Sequence, residues 1–145
     1  MNKKVITSFD NLIPLIQESF QNKQSITFKV KGTSMAPFFI DNQTEATLAP
    51  FSGTLSRGTV YLYKVSDTYL LHRYVKTKDG KHYFRGDALY QYEIILKDDI
   101  IGEVIQMKLG SKETDMNSVV YQSRVRLFMC TKTMKSIIRR IVKGR

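Results

Sequence analysis

The stretch Tyr69-Leu70-Leu71-His72-Arg73-Tyr74-Val75-Lys76-Thr77-Lys78-Asp79-Gly80-Lys81-His82-Tyr83-Phe84-Arg85 decides the fold. Asp-Gly favours a two-residue hairpin turn, because both central positions of that turn need a positive φ. The flanking segments, Tyr69–Lys76 and His82–Arg85, are rich in aromatic and apolar residues and read as a pair of strands. Alternation puts Leu70, His72 and Tyr74 on one face, and Leu71, Arg73 and Val75 on the other. With Asp79-Gly80 as the loop, Lys78 faces Lys81, and the same register continued puts His72 opposite Asp87. Directly opposed residues have Cβ atoms roughly 4.5–5.5 Å apart, close enough for a carboxylate to orient an imidazole.

More strands are expected on both sides of this hairpin. Ser25–Lys31 alternates, with Ile26, Phe28 and Val30 on one face, and runs into Gly32. Thr44–Leu48, Thr59–Val65 and Ile100–Lys108 have the same β-branched and aromatic character, and Gly53, Gly58, Gly80, Gly86 and Gly102 punctuate the run. Before the strands, Phe9, Leu12, Ile13, Ile16 and Phe20 share one face of a helix that Ser8, Asp10 or Asn11 can cap, with Pro14 tolerated in its first turn. After them, a polar stretch from Gly110 to Ser118 reads as a loop. Leu127, Cys130, Met134, Ile137, Ile138 and Ile141 then recur at steps of three and four, as in an amphipathic helix. The expected plan is one mainly β body with a helix at each end: a helical segment over 1–24, a β domain over 25–109, a polar loop over 110–118 and a basic amphipathic helix over 119–145.

The composition fits a globular chain. It has 145 residues, 42% hydrophobic and 25% charged, with three prolines and eight glycines. A single cysteine, Cys130, and two histidines leave no intrachain disulfide and no Cys/His zinc site, and neither metal nor cofactor is expected. No apolar run reaches the ~18–20 residues of a membrane span, and the N-terminus lacks the apolar core of a signal peptide. The net charge of +10 is concentrated at one end: no acidic residue follows Asp115, and eight basic ones follow Tyr121. The remainder carries 15 basic against 13 acidic residues. The simplest reading of the tail is a terminal helix packed on the body with its basic side chains solvated. An anionic membrane surface or a membrane-protein partner is the alternative. Nucleic acid is not the expected partner, since no aromatics interleave the charges beyond Phe128.

Three places offer chemistry. In Gly32-Thr33-Ser34-Met35-Ala36-Pro37 a serine ends a strand between a glycine and a proline. Such a bend can aim a hydroxyl into a cleft and offer backbone N–H groups to an oxyanion, or it can be a plain surface turn. His72, set among leucines and tyrosines, is either a general base or a hydrogen-bonded structural histidine. Gly86-Asp87 supplies the carboxylate that the hairpin register puts across from it. His82, near the hairpin tip, reads as exposed and inert.

With these residues in place the chain resembles the signal peptidase/LexA-type serine peptidase superfamily. Gly32-Thr33-Ser34-Met35-Ala36-Pro37, Gly58-Thr59-Val60-Tyr61-Leu62-Tyr63, His72-Arg73 and Gly86-Asp87 follow the family's order, and Ile100-Ile101-Gly102-Glu103-Val104 resembles its closing strand. The resemblance covers roughly Phe28 to Met107. A histidine before Arg73, where other members have lysine, is similar to the endoplasmic-reticulum and archaeal signal peptidases. The resemblance implies Ser34 as nucleophile and His72 as general base, with Ser34 N–H and the adjacent Met35 N–H holding the oxyanion. In histidine-type relatives an acidic residue several positions beyond Gly-Asp orients the base, which implies Glu93. The hairpin register points instead to Asp87, and the two stay open as alternatives. Gly58-Thr59 replaces the usual Gly-Asp, Asn42-Gln43 lacks the Gly-Asp often found there, and Gly32 removes a hydroxyl that some relatives supply.

The resulting expectation is a serine endopeptidase that takes a peptide or precursor in extended form along a strand edge. The 33 residues ahead of Ser34 hold no transmembrane anchor and are too few for a DNA-binding domain, so the expected location is cytoplasmic or peripheral to a membrane. A non-catalytic peptide- or partner-binding module on the same fold is the alternative.

Overall fold

A computed structural model describes residues 9–144. Its body is one antiparallel sheet of eight strands with a helix at each end. Helix α1 (Phe9–Gln21) leads into β1 (Ile26–Lys29), β2 (Glu45–Pro50), β3 (Val60–Val65), β4 (Thr68–Lys78), β5 (Lys81–Arg85) and β6 (Glu93–Ile95). A single 3-10 turn, Lys97–Asp99, precedes β7 (Ile100–Leu109), β8 (Lys112–Asp115) and helix α2 (Val119–Lys143). The strand order is β1-β2-β7-β3-β4-β5-β6, with β8 paired to β7. No helix among the described residues is long and apolar enough to cross a membrane.

The alternation along β3 and β4 sorts side chains into two cores on opposite faces of the sheet. Val60, Leu62, Leu71 and Val75 join Leu12, Ile13 and Ile16 of α1 and Tyr121, Val125 and Met129 of α2 in the larger one. Tyr61, Tyr63, Tyr74, Phe84, Ile95 and Ile100 form the smaller, with Leu70 at its edge. His72 belongs to this second face, 3% exposed, and its ring meets that of Tyr63 edge-on at 6.2 Å.

Several expectations are corrected. Helix α1 includes Asp10 and Asn11 in its first turn, so neither is its cap; Ser8 lies outside the described residues. The stretch from Gly110 to Ser118 is a hairpin arm, because β8 pairs with the end of β7 from Gln106↔Asp115 to Leu109↔Lys112. Ser118 caps α2, its hydroxyl accepting from Tyr121 N–H at 3.3 Å. His82 is half-buried and bonded through Nδ1 to Thr77 Oγ1 at 2.7 Å.

Two further differences matter for function. The central hairpin keeps the expected register from Lys78↔Lys81 to Lys76↔Tyr83, then shifts: Tyr74 pairs with Phe84 and Arg73 with Arg85. Val75 is the extra residue of a bulge, which displaces everything beyond it by one position, and Asp87 leaves the place opposite His72. On α2, the ridge packed against the body is Tyr121, Val125, Met129 and Lys132, and the aliphatic stripe from Leu127 to Ile141 faces outward.

Candidate active site

Ser34 follows β1 on a bend. Gly32, at φ +94°, adopts a conformation that other residues rarely tolerate, and its N–H donates to Asp41 Oδ1 at 2.7 Å. The bend continues through Ala36 N–H to Thr33 O at 3.2 Å and Phe39 N–H to Met35 O at 3.0 Å. The Met35 side chain is buried in the larger core. The second anchor is the turn after β5: Ala88 N–H donates to Ser34 O at 2.9 Å. Gly86 is required there, since a Cβ on it would stand 2.7 Å from Ser34 O and 3.1 Å from His72 Nε2.

His72, on β4, reaches both ways from its buried position. Its Nε2 lies 3.2 Å from Ser34 Oγ. Its Nδ1 meets Glu93 Oε1 in a short contact. The same carboxylate oxygen accepts from Tyr63 Oη at 2.8 Å. A carboxylate can only accept, so Nδ1 donates to it; in the neutral imidazole this tautomer leaves the Nε2 lone pair toward the serine hydroxyl. Burial first, then the Glu93 charge, pushes the Tyr63 phenol far up, and it stays a neutral donor. Glu93 is partly open to solvent, its side chain 19% exposed.

Asp87 serves another partner. Its two oxygens take a two-pronged pair from Arg73, Nε to Oδ1 at 2.9 Å and Nη2 to Oδ2 at 2.7 Å. Both side chains are nearly inaccessible, at 1% and 4%. Burial alone would lower the Arg73 pKa; hydrogen bonds and charge from Asp87 outweigh it and hold the guanidinium ionised. Arg73 Nη1 also donates to Gly58 O at 2.5 Å and to Tyr121 Oη at 3.1 Å, while Lys132 of α2 donates to Asp87 O. Of the two carboxylates considered for His72, Glu93 touches it, and Asp87 ties the Gly86-Asp87-Ala88 turn to β4 and α2.

Ser34 and His72 line a groove of ≈ 280 Å³. Phe28, Val30 and Met35 line one side of it, Tyr69 and Leu71 the other, and Phe9 and Leu12 of α1 contribute. The backbone has room for a ligand strand. Strand β4 pairs with β5 only from Arg73 onward, so the second edge of Thr68–His72 turns toward the groove, and β1 is the outermost strand on the facing side.

Tyr63 escaped the sequence reading. Ser66-Asp67 is a two-residue hairpin loop that pairs Val65 with Thr68 and Tyr61 with His72, which sets Tyr63 diagonal to the imidazole. That turn is the signal that could have found it. Among the described residues, no group of three or more His, Cys, Asp or Glu side chains is placed to hold a metal ion. Neither a protein-family model nor a curated protein matches the chain.

Proposed function

We propose that the chain is a serine endopeptidase of the signal peptidase/LexA-type superfamily, with Ser34 as nucleophile, His72 as base and Glu93 as the carboxylate behind it. One observation carries this reading: His72 stands between Ser34 Oγ, at 3.2 Å from Nε2, and the Glu93 carboxylate on Nδ1. A serine hydroxyl is a weak nucleophile until a base takes its proton, and a base needs its tautomer and orientation held from behind.

In the proposed reaction Ser34 Oγ attacks the peptide carbonyl carbon as its proton passes to His72 Nε2. The negative charge goes to the carbonyl oxygen, where Ser34 N–H and Met35 N–H are the donors assigned to it. The C–N bond breaks, and the imidazolium proton goes to the departing amine. Water then attacks the Ser34 ester with His72 again accepting the proton, which releases a carboxylate and restores the hydroxyl. Glu93 stabilises the transient imidazolium. A peptide in extended form fits between the open edges of β1 and β4, its side chains alternately meeting the apolar wall formed by Phe28, Val30, Tyr69 and Leu71.

The test is a mixed peptide library incubated with the protein and profiled by mass spectrometry. Wild type is expected to cut at a defined set of bonds. Ser34→Ala and His72→Ala are expected to lose that cleavage while keeping the circular dichroism spectrum. Cleavage undiminished in Ser34→Ala removes the serine mechanism, and a wild type that binds library peptides without cutting any leaves a binding module on the same residues.

A further inference from the structure

The outward face of α2 is aliphatic and stands clear of the body. The helix packs through Tyr121, Val125, Met129 and Lys132. With 3.6 residues per turn, the stripe Leu127, Cys130, Met134, Ile137, Ile138 and Ile141 is centred about 180° from that ridge. Its five large members are between 51% and 69% exposed, and Cys130 is exposed as well. Isolated exposed apolar residues are ordinary, but a continuous stripe of this kind marks a binding surface.

The charges around it specify what that surface meets. Arg126 and Arg140 border the stripe on one side, Arg124 and Lys135 on the other, all four exposed. Helix α2 carries seven basic residues and no acidic one. We propose that this face lies on an anionic lipid bilayer, with the aliphatic stripe in the acyl boundary and the two basic rims at the headgroup phosphates. A second copy fits poorly, because pairing two such helices in either direction sets Lys and Arg against Lys and Arg. Spanning is excluded by the charge, so the helix, about 37 Å long at 1.5 Å per residue, lies in the plane of the surface.

The inner face of the same helix supports the Ser34 bend. Phe38 packs edge-on against Tyr121 and Phe128, at 5.8 and 5.2 Å, and Lys132 donates to Asp87 O. None of the residues that line the groove belongs to α2, so docking through its outer face leaves the groove unoccupied. The docking stands on α2 alone and is independent of the hydrolytic reading.

The experiment is co-sedimentation of the full chain with vesicles, either equal parts phosphatidylglycerol and phosphatidylcholine or phosphatidylcholine alone. Wild type is expected to bind the anionic vesicles at least about tenfold more tightly than the neutral ones. Leu127→Ser/Ile137→Ser/Ile141→Ser keeps every charge and the packed ridge; it is expected to lose about tenfold or more of that binding with an unchanged circular dichroism spectrum. The chain has no tryptophan, so Ile138→Trp gives a single reporter whose emission shifts to the blue on adding anionic vesicles. Equal affinity for both vesicle types, equal binding by the triple variant, or an unshifted reporter overturns the proposal. So does a dimer, seen by sedimentation equilibrium, that the triple variant abolishes; a second copy would then be the cover.

Discussion

Glu93 Oε1 receives two hydrogen bonds at once, from His72 Nδ1–H and from Tyr63 Oη. The first fixes the imidazole tautomer, and the second holds the carboxylate where the imidazole needs it. Glu93→Gln can turn its amide NH2 toward His72, which favours the wrong tautomer, and kcat for a cleaved peptide is expected to fall by about 10²–10⁴-fold with little change in KM. Tyr63→Phe removes the second bond and the 3.2 Å contact of Tyr63 Oη with His72 Nδ1; the expected loss is about tenfold in kcat, with the same pH profile shape. Steady-state kinetics on one library-derived peptide reads both. Kinetics unchanged in Glu93→Gln would separate the carboxylate from the chemistry. At this scale the sequence singles out Ser34 and His72, which the fold brings together, through a glycine-bounded bend and an alternating strand. It does not distinguish Asp87 from Glu93, because that choice depends on the single extra residue at Val75. Valine is a good strand former, and nothing local marks the bulge.

Among the elements, the Gly86-Asp87-Ala88 turn joins three partners. It binds Ser34 O through Ala88 N–H, Arg73 through the Asp87 carboxylate, and Lys132 through the Asp87 carbonyl. Asp87→Asn leaves the Arg73 charge buried without its counter-charge, and urea denaturation is expected to show a loss of about 3–5 kcal/mol. Combining Asp87→Leu with Arg73→Met removes both charges and is expected to cost less than Asp87→Asn alone. A single variant no less stable than wild type would contradict the role given to this pair. The strands of the central hairpin are legible in their alternation, and the Asp79-Gly80 turn fixes where they begin to pair. Strand β6 is not legible, since three residues are too few to show a period. The packing face of α2 is hidden for another reason. Its strongest aliphatic stripe is the exposed one, while the buried ridge of Tyr121, Val125 and Met129 ends on a lysine whose amine finds a carbonyl.

Across the whole molecule, that lysine links stability to pH. Burial, followed by the nearby Arg85 charge, lowers Lys132 from 10.5 to about 8, with Asp87 opposing and Lys135 adding to the fall. Below about 8 the folded chain bears the full cost of the charged amine. Between about 8 and 10.5 the unfolded chain holds a proton that the folded one has released, so this group makes stability rise with pH. The phenols of Tyr61, Tyr63 and Tyr121 are raised by burial and act in the opposite sense above 10, where they ionise only on unfolding. The difference in unfolding free energy between wild type and Lys132→Met is therefore expected to shift in favour of wild type as pH rises from 8 to 10. A difference independent of pH would contradict it. The mainly β body with a helix at each end follows from periodicity alone, whereas the meeting of Ser34 with His72 across 38 positions of chain needs the folded sheet. The most direct measurement of that meeting's purpose is acid quenching of the protein during turnover of a cleaved peptide, followed by mass spectrometry of the Ser34 segment. The account predicts a peptide acyl group esterified to Ser34 Oγ, absent in Ser34→Ala; product formation at the wild-type rate by Ser34→Ala, with no adduct at any time, would contradict it.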